Sequence, residues 1–74
     1  MTLDQARVGS VVRILSLPQG QHRAQFIRLG LSEGSRVRCA QRFRLGPLVL
    51  QCHRQEIALG HQLARCIEVR EEPA

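Results

Sequence analysis

The chain has 74 residues and a formal charge of +5, and its eleven basic residues are all arginine. This length is enough for one small domain but leaves no room for a deep cleft between two layers, which argues against an enzyme. The arginines are spread along the chain, so the charge favours an acidic or phosphate-bearing partner and excludes a disordered basic tail.

The N-terminal part of the chain predicts a turn followed by a strand. Residues 2–6 form a candidate capped turn, with Leu3 and Ala6 at inward-facing positions. Residues 11–15 are rich in β-branched side chains, which favours a first strand. A Leu-Pro-Gln-Gly segment at 17–20 then ends it, because proline and glycine disfavour continued pairing.

A helix that stops at a glycine follows. Residues 21–29 predict a helix of about two and a half turns, and Gly30 suits the left-handed residue that ends many helices. With Gly30 in that position, Phe26 and Leu31 form the apolar pair that often accompanies such a stop. A helix this short must dock on other elements to be stable. Its predicted docking residues are Ala24, Phe26 and Ile27.

The second half predicts four more strands. They cover residues 36–43, 48–54, 56–59 and 66–70, with one helical turn at 60–64 and a frayed tail at 71–74. In the first of them Val37 and Cys39 alternate with arginines at 36, 38 and 42, which is typical of a half-buried antiparallel strand. Residues 1–74 therefore predict a single all-β domain, a small five-stranded barrel with short helices, since closing a sheet removes its edges.

Neither membrane insertion nor secretion is indicated. No run approaches the ~18 apolar residues of a membrane-spanning helix, and no secretory signal pattern is present. The cysteines, Cys39, Cys52 and Cys66, are odd in number and lack CxxC spacing, which argues against a disulfide framework. We expect a cytoplasmic protein whose cysteines are small buried residues.

Histidines and cysteines are the only side chains that suggest metal chemistry. The candidate ligands are His22, His53, His61 and Cys52. No two of the histidines have the i, i+4 spacing of a helical metal site, and no pair has zinc-finger spacing. Cys52 and His53 are adjacent, so in a strand they would point to opposite faces and could not act together. We expect no catalytic residue and no cofactor, and only adventitious binding of a transition metal.

Three segments together resemble one known family. Arg23, residues 26–31 and Gly34 resemble the R-x-x-(apolar)-x-x-L-G-(apolar)-x-x-G core of FeoA, the small ferrous iron transport protein A. Residues 45–47 (LGP) are similar to that family's L-G-(D)-P hairpin, and residues 57–69 resemble its I-A-L…A-x-x-I-x-V ending. One departure is the missing acidic residue in the hairpin, which makes this loop one residue shorter.

The resemblance implies an SH3-like barrel in the bacterial cytoplasm. Proteins of this family assist FeoB, a membrane ferrous-iron transporter with a cytoplasmic GTP-binding domain, so the chain would be recruited to the inner face of the membrane. Whether it regulates the GTPase or promotes transporter assembly stays open, as does homo-oligomerisation. The alternatives are a basic nucleic-acid-binding barrel, disfavoured by the lack of aromatics for base stacking, and an interaction domain like that of metal-dependent repressors.

A protein–protein adaptor is the preferred hypothesis. Arginine is favoured at such surfaces because it offers an apolar stem as well as a charge. The predicted surface combines the basic face of the helix, its exit and the hairpin loop. Its residues are Arg23, Arg28, Leu29, Gly30, Leu31, Leu45, Gly46 and Pro47.

Overall fold

Five strands, two short α-helices and one 3-10 turn make up the fold in a computed structural model that describes residues 1–73. In chain order they are the 3-10 turn (Leu3–Gln5), β1 (Val11–Ser16), α1 (Gln21–Arg28), β2 (Arg36–Arg42), β3 (Leu48–Cys52), β4 (Gln55–Leu59), α2 (His61–Ala64) and β5 (Glu68–Glu72). The number of strands and the order of elements are as predicted. No helix in this range is long and apolar enough to cross a membrane.

The strands form one antiparallel sheet in the order β4-β3-β2-β1-β5. The two outer strands, β4 and β5, are not paired with each other within residues 1–73. The prediction that strand pairing closes the sheet into a barrel is therefore corrected. The N-terminus covers the outer edge of β5 instead. The Val69 N–H donates to the Met1 carbonyl at 2.8 Å, and the Leu3 N–H donates to the Ile67 carbonyl at 2.9 Å. One sheet edge is thus satisfied by the first residues of the chain.

One apolar core lies between the inner face of the sheet and the short helices. Phe26 from α1 is fully buried, and no polar side chain among residues 1–73 is buried with it. Ala24 and Ile27 were predicted to dock α1 as well, but both are exposed, Ile27 by 49%. Because α1 has only about two turns, Phe26 and the residues of its exit, Leu29 and Leu31, supply its contact with the core.

A β-bulge changes the face to which the end of β2 points. The pairing register between β2 and β3 shifts at Ala40. Beyond the bulge, Arg42 lies opposite the buried Leu48, and its guanidinium donates to the Ala6 carbonyl at 2.8 Å and to the Asp4 carbonyl. The predicted alternation put Arg42 on the outer face. That prediction was wrong, because one extra residue moves later side chains to the opposite face.

A two-residue turn separates β3 from β4. Cys52 pairs with Gln55, so His53 and Arg54 form the turn and are not part of the third strand as predicted. His53 has a φ of +61°, the one positive value at a non-glycine residue in the described chain. A positive φ at the first loop position only is typical of a type II′ hairpin turn.

The C-terminal strand has the predicted length but lies two residues further along the chain. β5 begins two residues after the predicted 66–70 and continues through Glu71 and Glu72, both of which pair with β1. The prediction that residues 71–74 form a frayed tail is therefore wrong for Glu71 and Glu72. Ala74 lies outside the described residues. The Arg13 guanidinium donates to the Glu72 carboxylate, a cross-strand contact that extends the ladder to this point.

Candidate functional site

The exit of α1 has the hydrogen bonds of a Schellman stop. Gly30 has a φ of +92°, the Leu31 N–H donates to the Phe26 carbonyl at 2.9 Å, and the Gly30 N–H donates to the Ile27 carbonyl at 3.0 Å. The predicted stop is confirmed. Leu31 is completely buried, however, so it is a core residue and cannot belong to a docking surface.

This exit is packed against the hairpin of β3 and β4. The Cys52 thiol donates to the Gly30 carbonyl at 3.5 Å, and the side-chain amide nitrogen of Gln55 lies 3.8 Å from where a Cβ on Gly30 would be. Leu29 is partly buried against the core. The residues 29–31 therefore hold the helix in place and present little surface to a partner.

Arg23 forms an internal ion pair. Its guanidinium donates to both carboxylate oxygens of Glu33, at 2.9 and 3.0 Å. This hydrogen bond holds the pKa of the Glu33 carboxyl below its usual value. Arg23 thus connects α1 to the turn before β2, whereas Arg28, in the last turn of the helix, is exposed and forms no ion pair among residues 1–73.

The loop between β2 and β3, residues 43–47, presents apolar side chains to solvent. Leu45 is 98% exposed and Phe43 is 49% exposed. The loop is nevertheless structured: the Gly46 N–H donates to the Phe43 carbonyl at 3.2 Å, and the ring nitrogen Nε2 of His61 lies 3.2 Å from the same carbonyl. A Cβ at Gly46 would approach the Phe43 Cβ to 3.1 Å, so glycine permits this close contact.

The hairpin loop and the helix exit lie at opposite ends of β3. Leu48 follows the loop directly, while Cys52, at the other end of the strand, contacts Gly30. Four residue steps along a strand span about 13 Å. The predicted docking surface therefore consists of two separate surfaces, with Arg28 on one and Leu45, Gly46 and Pro47 on the other.

Sequence reasoning missed two exposed apolar residues. Phe43 was predicted only as the last residue of a strand and Ile27 as a docking residue, but each is 49% exposed. Phe43 directly follows the last paired residue of β2, and this position beside the Leu-Gly-Pro loop was the available signal. Ile27 gave no such signal, because helical spacing alone does not indicate which face of a short helix docks.

The candidate metal ligands are not brought together. His22 lies on α1, His53 in the turn after β3 and His61 at the start of α2, while Cys52 is buried beneath the helix exit. No group of three or more histidine, cysteine or acidic side chains within residues 1–73 is arranged to hold a metal ion.

The cysteines also lack a catalytic arrangement. Cys39 and Cys52 are buried as predicted, and burial raises the pKa of both thiols, which disfavours the reactive thiolate. Cys66 is exposed, contrary to the prediction, because it lies in the turn between α2 and β5 and not in a strand.

Comparisons with known proteins agree with this architecture. The chain superposes on the crystal structure of an iron uptake regulatory protein (FeoA) with a TM-score of 0.88 at 20% identity, covering 97% of each chain. It is similar to iron(II) transport protein A from Clostridium thermocellum, with a TM-score of 0.89 and 26% identity over 96% of this chain and 45% of that one. It also matches zinc-bound FeoA from Stenotrophomonas maltophilia, described as a prokaryotic SH3 domain protein, with a TM-score of 0.80 and 21% identity over 95% and 89% of the two chains.

The predicted SH3-like, mostly β fold is thereby confirmed. A search of curated proteins gave no significant match. The model of the FeoA domain family matches residues 1–71, nearly the whole chain. On this match the chain belongs to the FeoA family.

Proposed function

We propose that this chain is a cytoplasmic accessory protein of bacterial ferrous iron transport and acts by binding a FeoB-like GTPase transporter. Its family membership and its likeness to iron(II) transport protein A support the link to iron transport. The S. maltophilia relative is itself described as a possible activating factor for ferrous iron transport. Catalysis is not part of the proposal, since burial raises the pKa of both buried thiols and each donates to a backbone carbonyl.

The observation that carries the proposal is the exposure of apolar side chains in the hairpin loop 43–47. Burying a fully exposed leucine side chain contributes up to ~3 kcal/mol of free energy, which is not realised while the side chain stays in water. Here Leu45 is held outward by a hydrogen-bonded loop beside a half-exposed Phe43. Arg44, in the same loop, is exposed as well and adds a charged rim. An apolar centre with an arginine rim is typical of a small protein interface.

A pull-down with the detergent-solubilised transporter from the same organism tests this surface. We expect Leu45→Asp to abolish recovery, because it places a charge in the apolar centre. Leu15→Asp is a matched control, since Leu15 is also an exposed leucine, at 47%, but lies at the end of β1 that pairs near the start of β2. Equal recovery of both variants and the unmodified chain would remove the hairpin loop from the proposal.

How binding would affect transport depends on the nucleotide states of the partner. A bound protein shifts the balance between the GTP and GDP forms only if its affinity for the two differs. Measuring the affinity for the transporter with GTP analogue and with GDP therefore separates regulation from assembly. If the two affinities are nearly equal, the result favours assembly. A tenfold difference between them corresponds to ~1.4 kcal/mol of coupling between binding and nucleotide state.

No resident metal or cofactor is included in this proposal. The separated positions of His22, His53, His61 and Cys52 favour adventitious metal contacts over a built site. Isothermal titration of the metal-free chain with Fe(II) and Zn(II) tests this point. Stoichiometric, submicromolar binding to the monomer would contradict it.

A further inference from the structure

Three arginines stand side by side across the outer face of the sheet. Arg13 on β1 pairs directly with Arg36 on β2 and, on its other side, with Arg70 on β5. Residues paired in this way project from the same face, and the neighbouring pair Val12 and Val37 is buried on the opposite one. We call Arg36, Arg13 and Arg70 the arginine row; with adjacent strands ~4.8 Å apart, it spans about 10 Å.

One carboxylate of the chain already lies on this row. The Arg13 guanidinium donates to Glu72 and, through Nη1, to the Gly34 carbonyl at 2.8 Å. Hydrogen bonding by Arg13, with smaller effects of Arg70 and Arg36, lowers the pKa of the Glu72 carboxyl. The Glu72 side chain is only 16% exposed, and its carboxylate is paired with Arg13, the middle residue of the row. The row can therefore hold a protein carboxylate.

The charge of the row is only partly neutralised. Like charges directly opposite one another destabilise antiparallel strands, and this row contains two such pairs. Arg36 and Arg70 are both exposed and form no ion pair within residues 1–73. Arg38, beside the row, reaches only the Gln51 side chain, at 3.5 Å. Three of these four arginines thus lack an acidic partner within the described chain.

We propose that the arginine row is a docking site for an acidic segment of a protein partner. Carboxylates from this segment would bind Arg36 and Arg70 on either side of the occupied Arg13. This proposal is independent of the hairpin loop 43–47: the row lies on the outer face of β2, β1 and β5, and Arg36 and the loop are at opposite ends of β2. The two sites can thus be tested separately.

An acidic protein segment fits this face better than a nucleic acid. Base binding by small barrels relies on exposed aromatic side chains, and the two phenylalanines of the chain are elsewhere: Phe26 in the core and Phe43 in the hairpin loop. The groups that Arg13 holds now are a carboxylate and a backbone carbonyl, both of protein origin. A row of three arginines also neutralises few phosphates, which limits affinity for a duplex.

Fluorescence anisotropy of the full chain with a short labelled peptide of alternating Glu and Ser tests the site. A peptide with Gln in place of Glu and a labelled DNA duplex serve as the other two probes. We expect saturable binding of the Glu peptide at the same moderate salt used for the control below, and we expect it to weaken about tenfold or more in Arg36→Glu/Arg70→Glu. Glu72→Gln should strengthen binding several-fold, because it releases Arg13 for the peptide.

Arg54→Glu/Arg65→Glu is the matched control, with the same change in net charge at two exposed arginines outside the row. It should bind the Glu peptide within about twofold of the unmodified chain at moderate salt, where remote charges are screened. Equal losses in both double variants would overturn the proposal, as would no saturable binding of the Glu peptide. Tighter binding of the duplex that is lost in the row variant would assign the face to nucleic acid instead.

Discussion

Replacing Gly30 by alanine should destabilise the fold without disturbing its packing. Gly30 has a φ of +92°, and a Cβ there would meet only the Gln55 amide nitrogen, at 3.8 Å, an ordinary contact. The cost is therefore conformational and should be ~1–2 kcal/mol, the penalty for an L-residue in the left-handed region. For a domain of this size it corresponds to a fall in Tm of roughly 4–16 °C.

Thermal unfolding followed by far-UV circular dichroism measures this effect. Gly30→Asn is the matched control, because asparagine adds a Cβ in the same place but tolerates the left-handed conformation better. Its Tm should lie between those of the alanine variant and the unmodified chain. A Gly30→Ala protein that melts at the unmodified temperature would refute the reasoning, since the helix would then end without a left-handed residue.

Three further perturbations test packing and electrostatics, two near this turn and one at the N-terminal turn. Leu31→Ala removes a completely buried side chain and should lower the free energy of unfolding by ~2–5 kcal/mol in urea titrations; an unchanged midpoint would contradict its place in the core. Glu33→Gln removes the partner of Arg23. Because the folded pKa of Glu33 lies below the ordinary 4.5, the pair stabilises the fold above that pH and its contribution is lost as pH falls through the lowered value. The glutamine variant should thus lose less stability on acidification than the unmodified chain, and parallel pH profiles would argue against the pair. Arg42→Met keeps an apolar stem but removes the donors to the Ala6 carbonyl, so hydrogen exchange should become faster in the N-terminal turn and stay unchanged in β4.

The features that local chemistry determines could be predicted from the sequence. The stop at Gly30, the burial of Phe26 and the alternation of Val37 and Cys39 with arginines at the start of β2 follow from side-chain size and backbone preference over a few residues. The turn at His53 and Arg54 carries no glycine, proline or asparagine, so no residue type marked it.

Features that depend on pairing between distant segments could not be predicted. The bulge at Ala40 is set by how β2 meets β3, and it reverses the face of Arg42. The Glu72 carboxylate accepts a hydrogen bond from Arg13, which lies 59 positions earlier in the chain. The separation of the two halves of the predicted docking surface follows from the length of β3, which local patterns did not connect to either half.

The arginine row shows the same dependence on register. Arginines at 13, 36 and 70 are far apart in sequence, and their alternation with apolar residues indicates only that each faces solvent. Only the pairing of β1 with both β2 and β5 places them side by side. A basic surface of this kind cannot be recognised from composition, because arginines are present throughout the chain.

Chemical-shift mapping of the isotope-labelled chain, titrated with the solubilised FeoB-like transporter, tests the proposed mode of action most directly. An interaction through the hairpin loop predicts that the amide signals of residues 43–47 shift or broaden first. The signals of Gly30 and the buried Leu31, which lie at the opposite end of β3, should stay unchanged. A response confined to α1, or no response at saturating transporter, would contradict the proposal that this domain binds its partner through the hairpin.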